Sequence, residues 1–112
     1  MARTEVSVQS ITRAGLEATY SSAHADDNKF VNDGRSTFVH VKNGTGDVII
    51  TLQVAKTVDG NAVTDPTVTC TADEERLIGP FPADIYNQTD GMVYIDWDDE
   101  SNVTFAVLKL GT

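Results

Sequence analysis

The chain has 112 residues, of which 40% are hydrophobic and 22% charged, so its composition predicts one globular domain and argues against a disordered segment. Eight basic residues stand against seventeen acidic ones, a formal charge of −9, and no cluster of Lys and Arg suits the phosphates of a nucleic acid. A single cysteine, Cys70, allows no internal disulfide, and we expect neither a signal peptide nor a membrane span of about 20 apolar residues.

The first twenty residues differ in pattern from the rest of the chain. Residues 5–11 alternate weakly between apolar and polar types, and residues 12–16 break the alternation. We expect residues 1–20 to form either the first strand or an arm whose apolar side chains need a neighbouring subunit. Residues 21–112 are then expected to form a β-sandwich domain.

Two β-rich runs follow, residues 36–42 and 47–54, with Asn-Gly-Thr-Gly between them. Because glycine accepts the positive φ of tight turns, this pattern predicts a hairpin in which the two strands pair. Alternation in the first run places the valines on either side of His40 toward the core and His40 itself on the opposite face, where a contact role is expected.

Strand and turn signals continue to the end of the chain. A second turn is predicted at Asp59-Gly60-Asn61, and further strands are predicted over residues 67–71, 75–78, 92–97 and 103–110. Pro80 and Pro82 exclude a regular central strand, and a short helical turn is expected over residues 83–87. About seven short strands with polar turns predict an all-β, single-domain antiparallel β-sandwich, jelly-roll or immunoglobulin-like, with an N-terminal arm or edge strand.

The chemically versatile residues form no catalytic or metal-binding motif. A copper site would need two histidines with Cys70, and both histidines precede it in the chain, so Cys70 is expected to be a buried core residue. Asp96, Asp98, Asp99 and Glu100 offer oxygen ligands to a hard cation such as calcium, but their spacing differs from that of an EF-hand loop, and solvated surface is expected instead. We therefore expect no enzyme activity, no metal and no cofactor.

Two aromatic residues in the run 92–97 fall on opposite faces of the predicted strand. Trp97 alternates with apolar residues and is expected in the core. Tyr94 is expected on the outer face beside Asp96, where its ring could stack on a sugar or contact a protein. A carbohydrate-binding face usually needs more exposed rings than the sequence supplies.

Segments in a distinctive order carry a resemblance to a known class of proteins: ITRAGLEATY near the start, then NDGRSTFVHVKNG, ERLIGPFPADIYN and a β-rich tail. Over nearly the whole chain they resemble small structural proteins from tailed-bacteriophage head gene clusters, of the head decoration or cement type. The resemblance implies a virion protein that is made in the bacterial cytoplasm and binds the outer surface of the capsid. Its partner would be the major capsid protein, whose subunit contacts it would stabilise.

The same resemblance implies self-association, for which a trimer at a three-fold axis of the shell is one form. We assign the capsid contact to the N-terminal segment, with six candidate residues: Val6, Val8, Ile11, Arg13, Leu16 and Tyr20. Two alternatives stay open. One is another virion part, such as a tail-tip or head-completion protein, and the other is a carbohydrate-binding β-sandwich that contacts host glycans.

Overall fold

Alternation of apolar and polar residues produces short strands that each bury one face. The computed structural model describes residues 3–110, which contain twelve strands and one helical turn. In chain order these are β1 (Thr4–Glu5), β2 (Val8–Ile11), β3 (Ser21–Ser22), β4 (Asn28–Val31), β5 (Thr37–Asn43), β6 (Val48–Leu52), β7 (Thr57–Val58), β8 (Asn61–Ala62), β9 (Thr67–Cys70), β10 (Glu75–Ile78), α1 (Ala83–Tyr86), β11 (Met92–Trp97) and β12 (Val103–Leu110).

The long strands form two sheets that enclose a common core. Sheet I has the strand order β1-β4-β11-β6-β9, and sheet II has the order β10-β5-β12-β2, with β3 also pairing with β12. Among the described strands, β1 runs parallel to β4 and β2 parallel to β12, while all other pairs are antiparallel. The predicted all-β sandwich is confirmed. It differs from a purely antiparallel sandwich because β1 and β2 each pair with a parallel neighbour.

The core is built from the inner side chains of both sheets. Trp97 belongs to it, as the sequence predicts, and is 8% exposed. The Trp97 Nε1 donates a hydrogen bond of 2.9 Å to the Oδ1 of Asn28, a buried residue whose Nδ2 donates to the carbonyl oxygen of Thr4. Satisfying this buried amide removes its desolvation penalty and ties the N-terminal segment to the core. The largest fully buried apolar side chains are Phe30, Phe105, Ile50, Ile95, Val39, Val41, Val48, Val93 and Val107.

The predicted hairpin is wrong, although both of its strands are present. Strand β5 pairs with β10 and β12 in sheet II, whereas β6 pairs with β11 and β9 in sheet I. Both strands bury alternate residues, and because they lie in different sheets each supplies one wall of the same core. The connection between them crosses the edge of the sandwich, where Asn43 donates from its side chain to the carbonyl oxygens of Gly46 and Cys70.

The proline-containing stretch agrees with the sequence prediction. No strand crosses it, and α1 supplies the expected helical turn. The second predicted turn joins β7 and β8, with positive φ at Asp59 and Gly60. Within residues 3–110, no helix combines the length and apolar character required to cross a membrane.

The N-terminal segment contributes to both sheets. Strand β1 extends sheet I beside β4, and β2 extends sheet II beside β12. Val6, between the two strands, is 9% exposed and belongs to the core cluster. Because removing residues 1–16 would delete two strands and a core side chain, point substitutions test this segment more cleanly than a truncation.

Candidate interaction surface on sheet II

The outer face of sheet II carries several apolar side chains. Strand β5 directs Val39 and Val41 into the core and leaves Phe38, His40 and Lys42 half-buried on the outer side, as alternation predicts. The outer-facing residues of β12 continue this surface, because Leu108 lies opposite Phe38 and Ala106 opposite His40.

Exposed leucines flank Phe38 on this face. Leu77 on β10 is 70% exposed, and Leu110 at the end of β12 is 60% exposed. These are the two most exposed of the large hydrophobic residues in the described part of the chain. We name Phe38, Leu77, Pro80 and Leu110 the apolar patch. Single exposed apolar residues are ordinary, but a cluster on one face is typical of an interaction surface.

A cleft of about 260 Å³ lies within the patch. It is lined by Arg35, Ser36, Thr37, Phe38, Gly79, Pro80 and Leu110. Gly79 is required for its shape, because a Cβ atom there would lie 2.9 Å from the Cβ of Phe38 and 3.1 Å from the carbonyl oxygen of Thr37. The backbone φ of +151° at Gly79 also favours glycine.

Positive charge borders this apolar surface. Arg35, on the rim of the cleft, and Lys42, on β5, form no ion pair with any residue in the described range. By contrast, Arg3, Lys29 and Arg76 each pair with a carboxylate. In a chain of formal charge −9, a face with two cations that form no ion pair suits an apolar partner surface with acidic groups at its edge.

Tyr20 reaches this face from the loop between β2 and β3. Its hydroxyl lies 2.6 Å from the Nδ1 of His40, and the Nε2 of His40 lies 2.6 Å from a carboxylate oxygen of Glu75 on β10. The Nζ of Lys42 lies 4.1 Å from the centroid of the Tyr20 ring. Sequence reasoning selected Tyr20 and His40 separately but gave no sign of this contact, because the two are 20 residues apart.

The Tyr20 side chain reaches across β12, an inner strand of sheet II, because the adjacent Ser21 pairs with Phe105 of β12. Gln9 on β2 makes two side-chain hydrogen bonds to the backbone of Thr19, at 2.7 and 2.9 Å. Tyr20 then contacts β5 on the far side of β12. Ala106, which pairs with His40 on the outer side of β12, lies beneath this contact and is 0% exposed.

The six predicted contact residues are spread over distinct environments. Val6 lies in the core and Val8 packs against it, so neither side chain is available to a partner. Ile11 is half-buried opposite Leu110, at the border of the apolar patch. Arg13 and Leu16 are exposed in the loop, where Leu16 is 39% exposed. The structure therefore directs attention from the strands of the N-terminal segment to its loop and to the patch.

On the outer face of sheet I, the charged and polar side chains pair with one another. Arg3 pairs with Asp96, and its guanidinium lies 4.5 Å from the centroid of the Tyr94 ring. The Tyr94 hydroxyl donates to Asp90, which also binds Lys29. The hydrogen bond to Asp90 raises the pKa of Tyr94, because ionising the phenol would place two negative groups together. Tyr94 is outward, as the sequence predicts, with Arg3 over its ring.

The acidic residues singled out from the sequence serve separate turns and strands. Asp98 accepts a hydrogen bond from the backbone of Ile49, and Asp99 accepts two from Ser101. These bonds from Ser101 lower the pKa of Asp99. In the part of the chain that the structure describes, no three His, Cys, Asp or Glu side chains gather closely enough to hold a metal ion.

Cys70 is buried, as the sequence predicts. Its thiol donates a hydrogen bond of 3.3 Å to the carbonyl oxygen of Glu74. Burial raises the pKa of the Cys70 thiol, which disfavours the reactive thiolate.

A second cleft, of about 400 Å³, opens where the N-terminal segment crosses between the sheets. It is lined by Thr4, Glu5, Val6, Ser7, Gln9, Thr19, Ser21, Ser22 and Asn28. Hydroxyl groups dominate this lining, which holds neither a histidine nor a pair of carboxylates. Glu5 is the single ionisable side chain of this lining, so the cleft offers no pair of acid and base groups.

Comparisons of the chain with family models, with curated proteins and with solved structures find no match.

Proposed function

We propose that this protein is a structural component of a tailed-phage virion that binds the outside of the capsid and stabilises contacts between major capsid subunits. The order of sequence segments supports this proposal, since it resembles that of head decoration proteins. The observation that carries it in the fold is the apolar patch, in which Leu77 and Leu110 flank Phe38 on one face of sheet II.

The contact would form through sheet II. Burial of a leucine side chain contributes about 1.5–3 kcal/mol, so two leucines and the cleft can supply a useful part of a weak contact. Arg35 and Lys42 would orient the domain on a shell surface that carries acidic groups. The exposed loop residues Arg13 and Leu16 extend the same contact at the side of β2.

Stabilisation of the shell would follow from mass action. A ligand that binds the assembled shell and not the dissociated subunits lowers the free energy of the shell by an amount that grows with its concentration. Many copies act on one particle, and an oligomer such as a trimer would gain further from simultaneous contacts. Weak individual contacts are therefore sufficient.

Co-sedimentation with empty capsids of the cognate phage tests this function. Saturation at hundreds of copies per shell and a raised shell melting temperature are expected. Leu77→Asp should weaken binding about tenfold or more, because a charge replaces a buried apolar contact. Ile49→Asp is the matched control, since Ile49 is 44% exposed on the outer face of sheet I.

Three outcomes would contradict the proposal in different ways. Absence of binding would reject the capsid as partner. Saturation at about a dozen copies or fewer would instead identify a connector or tail component. Equal losses in Leu77→Asp and Ile49→Asp would show that sheet II is not the contact face.

A further inference from the structure

Tyr20, His40 and Glu75 form a chain of hydrogen bonds in which the donor and the acceptor of each bond can be identified. A carboxylate only accepts hydrogen bonds, so the Nε2 of His40, 2.6 Å from Glu75, carries a proton. In a neutral imidazole the other nitrogen is then unprotonated. The Nδ1 of His40 therefore accepts the hydrogen bond from the Tyr20 hydroxyl, at 2.6 Å. A hydroxyl, a base and a group that orients the base stand in the order typical of an activated nucleophile.

Lys42 completes this arrangement. Its Nζ lies 4.1 Å from the centroid of the Tyr20 ring and forms no ion pair with residues 3–110. This cation interacts favourably with the electron-rich face of the Tyr20 ring and so holds the ring beside His40. The imidazole that takes the proton becomes a cation and is stabilised by Glu75.

We propose that Tyr20 is a nucleophilic tyrosine that accepts acyl groups from small activated esters. The Tyr20 Oη forms a bond to the carbonyl carbon, and the ester C–O bond breaks with its electron pair leaving on the departing oxygen. The phenol proton moves to the Nδ1 of His40 and passes from there to the leaving group or to water. The product is an O-acyl tyrosine. Tyr20 lines neither cleft described above, so stoichiometric modification is expected and not turnover.

Tyr94 provides an internal comparison for this reactivity. Both tyrosines are half-buried, both lie on the outer face of a sheet, and both have a cation over the ring. They differ in the partner of the hydroxyl, which is an imidazole for Tyr20 and the Asp90 carboxylate for Tyr94. The carboxylate raises the pKa of Tyr94, so its hydroxyl holds its proton.

Acetylation by p-nitrophenyl acetate near neutral pH tests the proposal. Peptide mass spectrometry would follow acetylation of Tyr20, Tyr86 and Tyr94 with time, and hydroxylamine would separate tyrosine esters, which it cleaves, from acetyl-lysine. Tyr20 is expected to react about tenfold faster than Tyr94, which is modest beside the 10²–10⁴-fold effect of a base in an enzyme site. His40→Gln should bring Tyr20 to the rate of Tyr94, and Glu75→Gln should cause a smaller loss.

Equal rates for Tyr20 and Tyr94, or an unchanged Tyr20 rate in His40→Gln, would overturn the proposal and leave the chain of hydrogen bonds a purely structural feature. Circular dichroism checks that each variant is folded, which is expected because His40 and Glu75 lie outside the core. The assay uses no capsid, so its result is independent of the proposed virion function.

Discussion

The two sheets both bury apolar inner faces, but their outer faces differ in how far the charged side chains are paired. On sheet I, the cations Arg3 and Lys29 are paired with the carboxylates Asp96 and Asp90. On sheet II, leucines are exposed, and two cations, Arg35 and Lys42, have no carboxylate partner within residues 3–110. Where charged side chains already pair with one another, binding of a partner adds little stability. Where charged and apolar side chains lack partners, binding can still bury or pair them.

Tyr94 and Tyr20 show the same contrast at the level of single residues. Each ring lies beneath a cation, so the aromatic environment is similar. The Tyr94 hydroxyl donates to a carboxylate that belongs to an ion pair, and the Tyr20 hydroxyl meets an imidazole. The partner of the hydroxyl group, and not the residue type, therefore decides whether a tyrosine on these faces is fully paired or available to react. Five substitutions test this contrast and the structure around it.

The largest effect is expected for Gly79→Ala, which would distort the cleft of sheet II. The new Cβ would clash with the Cβ of Phe38 at 2.9 Å, and the positive φ would add strain. We expect a loss of about 3 kcal/mol in the free energy of unfolding, measured by urea denaturation. Gly46→Ala is the control, because Gly46 also has a positive φ but has open space around it, and should cost about 1 kcal/mol. Similar losses in the two variants would show that the close approach of Gly79 to Phe38 is unimportant.

Removing the cation over each ring should affect the two faces unequally. Arg3→Ala loses the ion pair with Asp96 and the contact with Tyr94 at a site where the Arg3 side chain is 17% exposed, so about 1.5 kcal/mol of stability should be lost. Lys42→Ala loses only the contact with Tyr20 and should cost about 0.5 kcal/mol. Thermal unfolding of both variants measures the difference. Equal losses would mean that Arg3 and Lys42 contribute equally to stability and that the two faces do not differ in this respect.

The turn that leads into β5 should make part of the stability depend on pH. Hydrogen bonds from the Ser36 hydroxyl and from the backbone of Arg35 and Ser36 lower the pKa of Asp33. A depressed carboxyl pKa stabilises the folded state above the unfolded value of about 4, and this contribution is lost as the pH falls below it. Asp33→Asn should therefore cost about 1 kcal/mol near neutral pH, with allowance for the exposure of the site.

Urea denaturation of wild type and Asp33→Asn at neutral and acidic pH measures this effect. The gap between the two proteins should narrow as the pH falls below about 4. A gap that stays constant with pH would show that the charge of Asp33 contributes nothing to the turn.

The smallest effect on stability is expected for Leu77→Asp. Leu77 is 70% exposed, so the folded chain should lose less than about 0.5 kcal/mol. Retention on a hydrophobic interaction column should nevertheless fall, and by more than for Ile49→Asp on sheet I. A large loss of stability would mean that Leu77 supports the fold and that the patch is part of the structure itself.

The strands were predictable because alternation is a local signal. In the run 36–42 a core residue and an outer residue follow each other regularly, and burial in the structure keeps that order. Pairing was not predictable, since the residues between β5 and β6 suit a hairpin as well as a crossing between sheets. The difference depends on β12 and β11, which pair with the two strands from a distance of more than 40 residues.

The candidate surface was predictable only in part. The resemblance led to Tyr20, and alternation placed His40 outward, but their hydrogen bond depends on the pairing of β3 with β12. Leu77 and Leu110 carry no sequence signal for exposure, because apolar residues in strands usually face the core. Val6 is apolar and lies in a weakly patterned segment, which suggests a contact residue, whereas its side chain belongs to the core.

The position of β12 has a consequence for how the protein is made. It is an inner strand of sheet II and pairs with β5, β2 and β3, all of which precede it by more than 55 residues. Sheet II therefore cannot assemble while residues 103–110 are still within the ribosome. Such long-range pairing slows folding, because the entropy of loop closure must be overcome first. The face with the apolar patch would thus form only once β12 has left the ribosome, which delays association of nascent chains through it.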